Sequence, residues 1–180
     1  MNALPKRYSS NERKRFKQVF LPEDIYSKAL DSLIVVCADI IPINRKKRLI
    51  YLASRKIKPV IGWWFIGGRI FAGEKEVDAA SRIFKRETSI SILPERFKFF
   101  SSHRYFMDVR AQPPQDSPCD MLGFNFTVEL KPKEFKKASK NLDPNEYEDG
   151  SSLKAFSRDD LVALKVHIPL LDLYDEIFPK

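Results

Sequence analysis

Apolar residues occur in short runs separated by polar turns, as expected for strands and helices packed around one core. Residues 33–43 are rich in β-branched side chains, which predicts a buried strand. A polar turn at 44–47 leads to a second strand at 48–53, so these two strands are expected to form a hairpin. Further strands are predicted at 62–66, ending at Gly67-Gly68, and at 97–106, 121–130 and 153–156.

The strongest helical pattern covers residues 76–89. Acidic residues stand at its start and basic residues at its end, an arrangement that the helix dipole favours. Its apolar side chains recur at helical spacing and form one stripe. Shorter helices are predicted from about residue 23, after Ser157 as an N-cap, and near Leu170. The stripe consists of Val77, Ala80, Ile83 and Phe84.

Length and composition fit one domain with a real core, since the chain has 180 residues of which 43% are hydrophobic. Alternating strands and helices predict the α/β class, with a mixed β-sheet sandwiched between helices. We divide the chain into a basic leader, residues 1–20, and one domain, residues 21–180. Because no run reaches the ~18 apolar residues that span a bilayer, we expect a cytoplasmic protein with no membrane partner.

The formal net charge of +8 favours an anionic partner. The basic residues are spread over clusters at 13–17, 45–48 and 131–140. These clusters are not interleaved with aromatic side chains, as a platform for single-stranded nucleic acid would be. We therefore interpret them as solvated surface and do not expect a nucleic-acid partner.

Glu87 stands out because it falls inside the apolar stripe of the 76–89 helix. An ionised carboxylate on a core-facing stripe costs several kcal/mol unless a cation or hydrogen-bond donors meet it. One explanation is that Glu87 lies at a frayed helix end and reaches solvent or an arginine. The other is that it binds a metal ion in a cleft between helix and sheet.

The segment before the helix favours the metal explanation. Gly67-Gly68 lets a ligand approach the backbone and exposes a carbonyl group to a hard cation. Arg69 follows directly and offers a permanent, bidentate donor to phosphate oxygens. A loop followed by a helix with these residues is a plausible magnesium–diphosphate site.

These residues resemble the Nudix box, whose pattern is G-x5-E-x7-R-E-U-x-E-E-x-G-U. The preceding Trp64-Phe65-Ile66-Gly67-Gly68 is also similar to what Nudix proteins place there. Three positions depart from the box: Ile83 and Arg86 replace two late glutamates, and Ser89 replaces the glycine. The matching residues are Gly68, Glu74, Arg82, Phe84, Glu87 and Ile90.

A shortened box that keeps only the last glutamate resembles that of the GDP-mannose mannosyl hydrolases. This resemblance implies Mg²⁺-dependent hydrolysis of a nucleoside diphosphate sugar, with water attacking the anomeric carbon; Mn²⁺ is an alternative ion. It implies Gly67 and Glu87 as metal ligands, with Arg55 and Arg69 as catalytic and substrate-binding residues that meet the charge of the departing diphosphate. Asp39 would bind sugar or base hydroxyls. A homodimer is expected by the same resemblance.

The general base remains unassigned, because the 143–150 loop lacks the histidine that the subfamily carries there. Glu146 or Glu148 would serve as the base, and Glu146 also as an additional metal ligand. His103 matches a family histidine and is expected either to bind substrate or to have a structural role. Glu74 and Arg82 are interpreted as a structural ion pair that locks the loop to the helix.

Two other functions compete with hydrolysis of GDP-mannose or a similar sugar nucleotide. One is cleavage of a P–O bond in another nucleotide, which needs extra metal carboxylates such as Glu146 and Glu148. The other is a module that binds a nucleotide or RNA without turnover. The missing histidine and the loss of glutamates from the Nudix box favour the binding module, whereas the retained Glu87, Arg55 and Arg69 argue against it.

Overall fold

The computed structural model describes residues 3–8 and 16–179. Much of the predicted basic leader, including most of the cluster at 13–17, lies outside the described residues. Within the described part, the chain forms five α-helices, seven strands and a short 3-10 turn at Pro94–Arg96. In chain order the elements are α1 (Glu23–Leu30), β1 (Val35–Asn44), β2 (Leu49–Arg55), β3 (Gly62–Trp64), β4 (Ile66–Arg69), α2 (Glu76–Thr88), β5 (Lys98–Met107), β6 (Cys119–Glu129), α3 (Pro132–Lys140), β7 (Lys154–Phe156), α4 (Arg158–Ala163) and α5 (Ile168–Ile177).

Strand β1 is the centre of a mixed sheet with the order β3-β2-β1-β6-β5. It runs parallel to β6 and antiparallel to β2, and β5 runs antiparallel to β6. Residues 37–43 of β1 are all buried, because helices cover both faces of the strand. The predicted α/β class with a mixed sheet between helices is confirmed.

The sheet divides alongside β1. The first half of β1 pairs with β4, over Cys37–Ile40, whereas β2 pairs with β1 only at Ile43 and Asn44. Strands β2 and β3 therefore diverge from β4 and leave an opening between them. This opening is the geometric origin of the cleft described below.

The aromatic segment after residue 60 differs from the prediction of a single strand ending at Gly67-Gly68. It forms two strands: β3 pairs with β2, and β4 pairs with β1. The chain changes partner at Phe65, whose ring is buried against Trp64 and Tyr105. Both glycines consequently lie inside β4 instead of ending a strand.

Helix α2 agrees with its sequence pattern. Ala80, Ile83 and Phe84 are buried against the sheet, and Ser89 ends the helix in the left-handed conformation. Helix α3 was not predicted, because its lysines were interpreted only as charged surface. Glu134 caps it by accepting a hydrogen bond from Lys131 N at 2.8 Å.

The described residues of the leader contact the loop before α2. Arg7 donates to the backbone oxygens of Gly73 and Glu74 at 3.1 and 3.0 Å. The ring of Phe20 packs edge-on against Phe71, with centroids 5.6 Å apart. The division of the chain at residue 20 stays a prediction. Among the described residues, no helix combines the length and apolar character needed to cross a bilayer.

The docking of α4 on the sheet predicts a difference between two leucines. Leu161 is 0% exposed in the core, whereas Leu164 at the helix end is 52% exposed. We expect Leu161→Ala to lower the free energy of unfolding by roughly 2–5 kcal/mol, because it leaves a cavity. The matched control, Leu164→Ala, should change it by less than about 0.5 kcal/mol. Urea unfolding followed by circular dichroism measures both, and equal effects would contradict the described packing.

Candidate active site

Glu87 is 1% exposed and lies in the last turn of α2. Its Oε1 accepts a hydrogen bond from Arg86 Nη2 at 2.5 Å, and its Oε2 accepts one from the Tyr147 hydroxyl. Burial raises the pKa of Glu87 to about 7, although Arg86 and the Tyr147 hydrogen bond oppose the rise. The carboxylate therefore does not reach solvent, and the required compensation comes from one cation and one neutral donor.

Tyr147 reaches Glu87 because its loop is tied to both α2 and β2. Asp143 N donates to the backbone oxygen of Glu87 at 2.9 Å. On the other side, Glu148 N donates to Ser54 O at 3.1 Å, and Lys56 N donates to Glu146 O at 3.0 Å. The loop therefore connects β2 to α2 and forms one wall of the opening in the sheet.

Arg55, at the end of β2, lies beside the same loop. Its Nη2 donates to Glu146 Oε2 at 3.1 Å. Its Nε is buried and has no hydrogen-bond partner among the described residues. Arg55 therefore retains an unmet hydrogen-bond donor beside the cleft, which is uncommon for a buried polar atom.

Asp39 occupies a recess formed by two glycines. It pairs with Gly67 across β1 and β4, and a Cβ atom on Gly67 would lie 2.6 Å from Asp39 Oδ1. A Cβ on Gly123 of β6 would lie closer still to Oδ2. Burial raises the pKa of Asp39 from its ordinary 3.8 to about 8, with Arg55 opposing the rise and Glu87 adding to it. At neutral pH the Asp39 carboxyl is therefore mostly protonated and can donate a hydrogen bond.

The next glycine, Gly68, makes room on the opposite face of β4. A Cβ there would lie 3.1 Å from Arg86 Nη2, so the Arg86 guanidinium rests against the strand backbone. Arg69 follows, and its guanidinium carbon lies 4.7 Å from the centre of the Tyr26 ring. Two cationic groups thus flank the end of β4.

Glu74 and Arg82 form the ion pair that the sequence indicated. Arg82 Nε and Nη2 donate to the two Glu74 carboxylate oxygens at 2.7 and 2.8 Å. Arg82 also donates to Arg69 O at 2.9 Å, and Glu74 accepts from Phe71 N at 3.0 Å. These contacts hold the loop after β4 against α2.

A cleft of about 250 Å³ lies at the opening in the sheet. Its lining includes the cationic side chains of Arg55, Lys58, Arg69 and Arg86. It also includes aromatic and apolar side chains, so the cleft suits a ligand that combines phosphate groups with an apolar ring. The aromatic and apolar residues include Tyr26, Val60, Trp64, Phe65, Tyr105, Met107 and Met121.

The structure brings together most of the residues predicted for the site, but not all. Asp39, Arg55, Gly67, Arg69 and Glu146 line the cleft, and Glu87 lies beneath Arg86.

Besides Glu87, two predicted residues are not among those lining the cleft, namely Glu148 and His103. Glu148 is exposed at the surface. His103 bonds to Glu176 of α5 at 2.9 Å, and its ring centroid lies 6.2 Å from that of Tyr105, which lines the cleft. The predicted roles of Glu148 and His103 stay predictions.

Sequence reasoning missed the roles of Arg86 and Tyr147. Arg86 was noted only as a departure from the Nudix box, although an arginine was one of the partners considered for Glu87. Tyr147 gave no signal, since it is 60 residues from Glu87 along the chain. Only the folded loop brings its hydroxyl to the carboxylate.

The side chains in this arrangement do not fit a magnesium ion. Both Glu87 oxygens already accept hydrogen bonds, and Glu146 pairs with Arg55. Among the residues that the structure describes, no group of three or more histidine, cysteine, aspartate or glutamate side chains is placed to hold a metal. The ligand set of Gly67, Glu87 and Glu146 stays a prediction from the sequence.

The family of the chain follows from its sequence profile. The NUDIX domain matches residues 34–176, which include the cleft and the helix that carries Glu87. The chain therefore belongs to the Nudix family, whose hydrolases act on small nucleotide substrates and generally use divalent metals such as Mg²⁺. No curated protein sequence matches the chain.

Solved Nudix structures share the fold. A Nudix hydrolase from Nitrosomonas europaea gives a TM-score of 0.53 at 18% identity, covering 81% of this chain and 88% of that one. The MutT Nudix hydrolase from Burkholderia pseudomallei gives 0.54 at 18% identity, covering 72% and 88%. The dihydroneopterin triphosphate pyrophosphohydrolase of E. coli gives 0.52 at 12% identity, covering 81% and 97%. The predicted Nudix fold is confirmed, while identities this low carry no information about substrate.

The raised pKa of Asp39 predicts how stability depends on pH. The folded state holds a proton that the unfolded state releases near pH 4, so the free energy of unfolding should fall as pH rises from 5 to 8. Asp39 should contribute up to about 1.4 kcal/mol per pH unit. Asp39→Asn removes the titrating carboxyl group. Urea unfolding between pH 5 and 8.5 should therefore show a shallower decline of the free energy of unfolding with pH than in the wild type. Parallel pH profiles for the two proteins would contradict the assignment.

Proposed function

We propose that the chain hydrolyses a nucleoside diphosphate sugar, with GDP-mannose as the first substrate to test. The observation that carries this proposal is the convergence of Arg55, Arg69 and Arg86 on one cleft that aromatic side chains also line. Arginine is suited to bind diphosphate oxygens in pairs, and aromatic rings are suited to stack on a base. The cytoplasmic location, expected from the apolar runs of the sequence, and the homodimer, expected from the family resemblance, both stay predictions.

The reaction that fits these groups is cleavage of the sugar–phosphate C–O bond. A water oxygen attacks the anomeric carbon while the C–O bond breaks, and the bonding electrons leave with the diphosphate. The charge that develops on the leaving diphosphate lies next to Arg55, Arg69 and Arg86, and such fixed positive groups stabilise the transition state. The products are a free sugar and a nucleoside diphosphate.

Glu146 is the residue we assign to accept the proton of the attacking water. It lines the cleft, and Arg55 holds its Oε2 at 3.1 Å. Glu148 is exposed and not among the lining residues, so it is the weaker choice. Asp39, which is mostly protonated at neutral pH, is assigned to donate a hydrogen bond to a ligand hydroxyl or carbonyl oxygen.

A second function is favoured by a separate observation, the engagement of Glu87 by Arg86 and Tyr147. A cleft with paired carboxylates and several arginines is well suited to bind a nucleotide without turning it over. In that case the nucleotide would bind to the same arginines, and no product would form.

The effect of removing the Arg55 charge tests the proposal. We expect Arg55→Gln to lower kcat on the preferred nucleotide sugar by about 10²- to 10³-fold, because one group that meets the leaving charge is lost. The matched control is Arg104→Gln, since Arg104 pairs with Asp120 on the surface and does not line the cleft. Steady-state kinetics across a panel of nucleotide sugars, with urea unfolding to confirm folding, provides the measurement.

The bond that breaks is identified by carrying out the same reaction in ¹⁸O-labelled water. Label in the free sugar, with unlabelled nucleoside diphosphate, is the expected result. Label in a phosphate-containing product would replace this proposal with P–O cleavage of a nucleotide. Nucleotide binding without turnover across the panel would establish the binding module instead.

A further inference from the structure

We propose that Arg86 takes the place of a divalent metal ion in this cleft, so that the diphosphate of the ligand binds without Mg²⁺. This inference rests on the proposed function in one respect, namely that the ligand carries a nucleoside diphosphate. It concerns a residue at which the chain departs from the Nudix box, where a glutamate stands in the full pattern.

The position of Arg86 supports this role. Its Nη2 lies 2.5 Å from Glu87 Oε1, so the buried carboxylate anchors the guanidinium. The same nitrogen rests against β4 at Gly68. The side chain is still 44% exposed and lines the cleft. A guanidinium has five N–H donors, so an anchored arginine retains donors for a phosphate group.

The state of Glu87 argues in the same direction. A divalent ion would have to reach a side chain that is almost fully buried and whose two oxygens already accept hydrogen bonds, one from Arg86 and one from Tyr147. It would also lie a short distance from the positive charge of Arg86, which repels it. A bound arginine and a metal ion are therefore alternatives at Glu87.

The remaining charges of the cleft suit a metal-free diphosphate. Arg55, Lys58 and Arg69 line it together with Arg86. Arg55 also has a buried Nε without a partner among the described residues, so its hydrogen-bonding capacity is not fully used within the protein. A diphosphate with two to three negative charges finds enough cationic groups here without an added ion.

Isothermal titration of the full chain with GDP, once with EDTA and once with excess MgCl₂, tests the inference without any mutation. We expect GDP to bind in EDTA, with a Kd that changes by less than about twofold when Mg²⁺ is present. Binding that requires Mg²⁺ would overturn the inference and leave the proposed function standing. Absence of binding in both conditions would overturn both.

Two variants of Arg86 and one control variant test whether Arg86 itself binds the diphosphate. Arg86→Gln should raise the Kd for GDP in EDTA by about 10- to 100-fold, because a charge-assisted contact is lost. Arg86→Glu should abolish binding in EDTA and make GDP binding depend on Mg²⁺, since a second carboxylate then joins Glu87. Lys85→Gln removes a charge from the exposed neighbour on the same helix and should leave the Kd unchanged. An Arg86→Gln variant that is folded and binds GDP as the wild type does would contradict the role of Arg86.

Discussion

The burial of one carboxylate, that of Glu87, determines how this part of the molecule is built. A carboxylate removed from water needs hydrogen-bond donors. One Glu87 oxygen accepts a hydrogen bond from Arg86 of the same helix, and the other accepts one from Tyr147 of a distant loop. The Tyr147 contact joins the loop to α2, and backbone hydrogen bonds extend that connection to β2. The cleft wall thus depends on the neutralisation of a single buried group.

The division of the sheet supplies the space that this arrangement needs. Because β4 and β2 pair with different halves of β1, the strands separate and side chains from both enter the gap. Glycines then decide which side chains fit. Gly67 and Gly123 admit the Asp39 carboxyl on one face of the sheet, and Gly68 admits the Arg86 guanidinium on the other.

Family membership and site chemistry give different kinds of information about this chain. The Nudix fold is shared with enzymes of several activities, so function has to be argued from the residues of the cleft. Those residues combine arginines with aromatic side chains, and this combination is the basis for proposing a nucleoside diphosphate ligand. The engagement of Glu87 by Arg86 distinguishes this cleft from one organised around a metal ion. In the proposed function, such a site would meet phosphate charge with guanidinium groups.

The sequence by itself determined the α/β class, helix α2, the Nudix resemblance and the Glu74–Arg82 ion pair, because each depends on residues close together along the chain. It also identified Glu87 as a charge needing compensation. Only the tertiary structure decided what compensates it, how the aromatic segment divides at Phe65, and that His103 lies against α5. Apart from the contact between the neighbours Arg86 and Glu87, these features depend on contacts between residues far apart in sequence. Neither periodicity nor local spacing carries information about such contacts.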